Sequence, residues 1–189
     1  MTIFEYVTAA ILLVLGLGVT QLLSDVVDAF RRRQSYRLHW IPLTWAGIVF
    51  AWQMQFLWAV FELQKLNRSW SALDFVILLT LALLLFVAGS LIVPKANDEA
   101  SDAMTQFQQD GRWALVILAV FFFLACFVNV LLFGLSFFDL QNVEDLVLAL
   151  GLTLTVRAKK EKTWMIATIL LGLLSIYAII DLSPAAYSS

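Results

Sequence analysis

Apolar residues fall along this chain in long unbroken blocks separated by short polar clusters, with little strict alternation. A helix needs roughly 20 such residues to cross a hydrocarbon core of about 30 Å. Five blocks meet that length, at 3–23, 38–61, 73–93, 113–138 and 163–180. A sixth block, 140–156, is shorter and opens with Gln141, Asn142, Glu144 and Asp145, so hydropathy alone leaves its crossing undecided.

Basic residues decide it. Lys and Arg are retained on the cytoplasmic side of a membrane. Six crossings with the N-terminus outside gather Arg31, Arg32, Arg33, Arg37, Lys95, Arg112, Arg157, Lys159, Lys160 and Lys162 inside, leaving Lys65 and Arg68 outside. Removing the 140–156 crossing would strand the Arg157–Lys162 group on the wrong side. The expected fold is therefore an all-α polytopic bundle of six transmembrane helices, one domain over 1–189, with both termini extracytoplasmic. The first block has no basic n-region and carries Glu5, which does not fit a secretory signal.

The punctuation agrees with these spans. Trp40, Trp45, Trp70, Trp113 and Trp164 lie near predicted helix ends, where an aromatic belt belongs. Pro42, Pro94 and Pro184 fall at or beyond span ends, so no span carries the proline break of many ion-coupled transporters. In the loop 95–111, Asn97, Asp98 and Glu99 could start a short helix whose apolar side holds Met104 and Phe107, an interfacial element.

Composition narrows the function classes. The chain is 62% apolar and only 14% charged, and its mean hydropathy is +0.89. A soluble domain carries about a quarter charged residues, so a soluble enzyme is a poor fit. The net charge of −2 gives no basic footprint for nucleic acid. One cysteine, Cys126, and one histidine, His39, leave no disulfide, His/Cys zinc site or bis-His haem. No lysine falls inside a span to carry a Schiff base, and no cofactor or metal is implied. Small size and spare loops point to a bacterial inner membrane, with the lipid bilayer itself as the first partner.

Residues three, four and seven apart share a helix face. On the second span Thr44, Ala51, Gln55, Trp58 and Glu62 make a polar stripe, and on the first Glu5, Thr8, Ala9, Gly16 and Thr20 make another. Thr168, Gly172 and Ser175 align on the last span, 163–180. Small and hydroxyl residues at this spacing are the usual means of close helix packing in membranes, which is the plainest reading of Gly16, Thr20, Thr168, Gly172 and Ser175. Gln55 and Asn129 read most simply as residues that hydrogen-bond across helices. The third span is almost uniformly aliphatic below Asp74, which predicts heavy lipid exposure.

Acidic residues concentrate at the outer side of this topology. Glu5, Glu62 and Asp74 each sit at a span end, and carboxylates crowding one mouth favour cations. The plainer alternative is that they rest among headgroups and water, where a charge costs little. Two functional expectations follow. The first is a homo-oligomeric, channel-like permeation protein favouring cations, with Glu62, Gln55, Thr44, Trp58, Glu5 and Asp74 as candidate lining residues. The second is an anchoring subunit of a larger complex, whose basic patches at Arg31, Arg32, Arg33, Arg37 and at Arg157, Lys159, Lys160, Lys162 hold anionic lipid or an acidic cytoplasmic or membrane protein. Catalysis is not expected, because no nucleophile, base or metal cluster converges at one depth.

Overall fold

The computed structural model describes residues 3–34, 38–63, 70–94 and 103–181, and their regular structure is entirely helical. Six helices follow one another: α1 (Ile3–Arg31), α2 (Trp40–Leu63), α3 (Ala72–Ile92), α4 (Ala103–Phe133), α5 (Leu140–Val156) and α6 (Glu161–Asp181). All but α5 are long and apolar enough to cross a membrane. At 17 residues α5 rises only about 25 Å.

Local chemistry sets the helix ends. Ser71 and Asp74 form a capping box at the start of α3: the Asp74 N–H donates to the Ser71 hydroxyl, and the Ser71 N–H donates to the Asp74 carboxylate. Pro42 sits in the first turn of α2, where its missing N–H leaves no bond unmade. Gly134 ends α4 in the left-handed region at φ 68°, and its N–H returns to the Asn129 carbonyl. That turn stops the helix at Phe133 although Leu135, Phe137 and Phe138 continue the apolar run, so the expected span 113–138 is too long at this end.

At its other end α4 begins well before Trp113. A π-helical stretch at Phe107–Gly111 joins Ala103–Gln106 to the rest, making one continuous helix in place of a separate interfacial one. Met104 and Phe107 are buried, and the Phe107 ring meets Trp164 edge-on at 5.6 Å. Asn97, Asp98 and Glu99 lie outside the described residues.

The helices close into a ring in which α1 packs on α3, α3 on α4, α4 on α5, α5 on α6, α6 on α2 and α2 back on α1. The aliphatic α3 leaves Leu73, Val76, Leu83 and Val87 exposed on the outer wall, while its other face packs closely on α1, α2 and α4. Ala82, Ala88 and Gly89 explain this, because small side chains let neighbouring backbones approach. The Gln53 amide wedges between Gly18 and Gly89, 3.0 Å from where a Cβ would stand at either, and donates to the Leu85 carbonyl at 3.3 Å.

Across the centre, α2 and α4 meet through aromatic rings. Trp52 lies edge-on to Phe122 at 4.7 Å, and Phe56 to Phe121 at 6.0 Å. The N-termini of α2, α4 and α6 gather at one end, as the Phe107–Trp164 contact and a 3.4 Å approach of His39 to Glu161 require. That end carries Arg31, Arg32, Arg33, Arg112, Arg157, Lys159 and Lys160, whereas Glu62, Asp74, Asp139, Glu144 and Asp181 mark the opposite one. Between the ends the outer surface is a belt of exposed aliphatic and aromatic side chains, including Leu13, Val76, Leu131, Leu150 and Leu173. In water such a belt would drive association; in a bilayer it is the lipid-facing wall.

Candidate functional site: a buried polar hairpin beside a small cavity

The polar interior of the bundle is built by the α4–α5 hairpin. After the Gly134 turn, the Ser136 N–H donates to the Asp139 carboxylate, and Asn142 Nδ2 donates to the Ser136 carbonyl at 2.7 Å. These bonds pin the start of α5 at the depth of the last turns of α4. Asn129, about one turn before the end of α4, then faces Asn142 and Asp145 on α5. Its amide spends both hydrogens there, donating to Asn142 Oδ1 at 3.0 Å and to Asp145 Oδ2 at 3.1 Å. Asn142 is fully buried, and Glu144 and Asp145 are nearly so.

Successive helix residues point about 100° apart, so the two neighbouring carboxylates look in different directions. Asp145 lines a cavity of about 70 Å³ with Trp52, Gln55 and Ala59 of α2 and Ala125 and Asn129 of α4. That volume holds about two water molecules. The Trp52 indole N–H, also on this cavity, is buried without a hydrogen-bond partner. Glu144 instead lies within electrostatic reach of Asp181 near the end of α6, and neither of its oxygens has a hydrogen-bond partner. Among the described residues no cationic side chain pairs with Glu144 or Asp145. Two acids, two amides and an indole donor without a partner therefore gather around this hairpin, apart from the buried Gln53 and Thr168, which are bonded elsewhere in the bundle. Burying uncompensated polar groups is costly, and ionisable residues at membrane depth generally mark a working site.

The residues expected to line a pore separate. On α2, Gln55 reaches the cavity, while Thr44 and Trp58 turn to the outside, Trp58 with 42% of its surface exposed. The inward face of α2 is taken by Trp45, Trp52 and Phe56, whose larger apolar surface gains more from the interior than the polar stripe does. Glu62 is buried at the acidic end, and Asp74 is engaged in its capping box. Glu5 is exposed on α1.

Of the small-residue stripes, Gly16 and Thr20 face outward on α1, and a Cβ at Gly16 would meet nothing within 4 Å. Thr168, Gly172 and Ser175 are buried, with Thr168 accepting a 3.0 Å hydrogen bond from the Trp45 indole and Gly172 resting against Ile48. Arg31, Arg32 and Arg33 are exposed, as are Arg157, Lys159, Lys160 and Lys162; Arg37 lies outside the described residues.

Sequence reasoning placed Asn129 in a cross-helix bond but assigned no role to Asn142, Asp145 or Glu144. A signal existed. Gly134 and the short 134–139 connection make an antiparallel hairpin, which puts residues equally far from the turn at equal depth. Among the described residues no three His, Cys, Asp or Glu side chains converge on a metal position.

Helices of this length and apolarity, ringed by a lipid-facing wall around a buried polar hairpin, make this chain an all-helical, multi-pass membrane protein. No known protein family, curated protein or solved structure matches it.

Proposed function

We propose that the chain is a channel-like membrane protein for small cations, protons included, and that Asp145 is the residue at which the cation is held. The observation that carries this reading is the Asp145 carboxylate on a water-sized cavity, oriented by Asn129 and without a cationic partner among the described residues. An amide donor fixes the position of the carboxyl group without supplying a countercharge, so its ionised form would be neutralised by a proton or a small cation. The acidic end raises the local cation concentration at the approach to the cavity. In this reading the rings packed toward the basic end, Trp52 on Phe122 and Phe56 on Phe121, serve as the gate.

In this reading all six helices cross, with both termini on the acidic, extracytoplasmic side. Helix α5 crosses despite its length because α4 and α6 flank it and shield its polar first turns. The chain acts as a homo-oligomer. The outward Glu5, Ala9, Gly16 and Thr20 on α1 support that, since such a face packs better against protein than against acyl chains.

Planar-bilayer recordings in asymmetric potassium chloride, at several pH values, test the proposal. Currents whose reversal potential favours the cation, and which vanish in Asp145→Asn, are expected. Anion-selective currents, silence at every voltage and pH, or an unaffected Asp145→Asn channel would overturn it.

A further inference from the structure

A second feature lies on the outer wall, away from the polar hairpin. On the outer side of the α4–α5 pair lies an open groove of about 500 Å³ whose sides include Val116, Val120 and Phe123 of α4 and Leu150 and Val156 of α5. Apart from Thr153, whose hydroxyl is bonded to the Ala149 carbonyl, it is apolar until its end, where Arg157 closes it. From Leu146 to Arg157 the groove runs roughly 16 Å along α5. That suits an extended hydrocarbon chain lying parallel to the helices.

The closing end is marked independently as headgroup depth. Arg112 and Trp113 stand one turn beyond Val116 on α4, both exposed, with the Arg112 guanidinium 5.7 Å from the Trp113 ring centre. Phe133 lies about 20 residues further along α4, the length of one crossing, so this Trp–Arg pair stands where the membrane–water interface would cut the longer helix. Lys159 and Lys160 follow Arg157 in the same short connection and are exposed. Among the described residues Arg157, Lys159 and Lys160 have no acidic partner, and Glu161 beside them faces His39 instead. Topology alone explains why basic residues collect at this end, but it does not explain a chain-sized groove ending at them.

We infer that the α4–α5 groove is a binding site for a phospholipid with an anionic headgroup, its acyl chain along Val116–Phe123 and its phosphate at Arg157. The basic connection then selects for net negative headgroups over zwitterionic ones. The occupant is a lipid, not free phosphate, because most of the site is apolar.

Native mass spectrometry of the purified full chain in detergent, titrated with phosphatidylglycerol or phosphatidylcholine of equal chain length, tests this. The expected result is retention of phosphatidylglycerol at roughly tenfold lower concentration than phosphatidylcholine. The triple variant Arg157→Gln, Lys159→Gln, Lys160→Gln should lose that preference, and Val120→Trp, which fills the groove at an exposed position, should lose both lipids together. Circular dichroism and the burial of Cys126 report whether each variant keeps its fold. Equal retention of the two lipids by wild type, or an undiminished preference in a folded triple variant or in Val120→Trp, would overturn the assignment.

Discussion

Replacing Asn129 by Leu removes the donor that ties α4 to α5 while keeping the number and branching of side-chain heavy atoms. Two hydrogen bonds disappear, to Asn142 Oδ1 at 3.0 Å and to Asp145 Oδ2 at 3.1 Å. Cross-helix hydrogen bonds in membranes contribute about 0.6–1.7 kcal/mol each, so the pair accounts for about 1–3 kcal/mol. Stranding an acceptor on fully buried Asn142 pushes the loss toward the upper end of that range, because an unsatisfied buried polar group carries its own desolvation cost. Reversible unfolding in mixed bicelles with increasing dodecyl sulfate measures it. A double-mutant cycle with Asn142→Leu isolates the amide–amide bond and should show coupling of about 0.5 kcal/mol or more. A loss below about 0.5 kcal/mol for Asn129→Leu, together with an additive cycle, would refute the hairpin network as a structural unit.

Other consequences are local. Gly134→Ala forces a side chain into φ 68° and should cost about 1 kcal/mol in the same assay, with Gly134→Asn milder; an unchanged midpoint would show that the turn relaxes. Thr168→Val strands the buried Trp45 indole N–H and should cost about 1 kcal/mol, whereas no loss would mean the 3.0 Å contact contributes nothing. Cys126 is 1% exposed, so maleimide should label it far more slowly in the folded protein than in dodecyl sulfate; equal rates would contradict its burial.

The positions of the helices were largely readable because unbroken apolar blocks of this length carry direct physical meaning in a bilayer. The failures are instructive. Phe137 and Phe138 are as apolar as any span residue, yet Gly134 had already turned the chain, and hydropathy is blind to a backbone dihedral. The uniformly aliphatic α3 does not reveal which of its faces packs in the bundle and which, with Val76 and Leu83, lies on the outer wall, because lipid and protein interior are equally apolar and only contacts separate them. Of the α2 residues read as a polar stripe, Gln55 reaches the cavity while Thr44 and Trp58 stay outside, because Trp45, Trp52 and Phe56 take the interior. Asp145 and Asn142 were visible as polar residues at the start of a short span. What the one-dimensional pattern lacked was their partner at equal depth across the hairpin.

The central claim is that Asp145, and not the span-end acids, governs cation passage. Proteoliposomes containing wild type, Asp145→Asn or Glu62→Gln, prepared in one reconstitution and assayed separately for proton and potassium uptake under an imposed potential, test it most directly. The account predicts cation uptake in wild type, its loss in Asp145→Asn and its persistence in Glu62→Gln. Uptake that survives Asp145→Asn and disappears in Glu62→Gln, or no uptake of either ion by wild type, would contradict it.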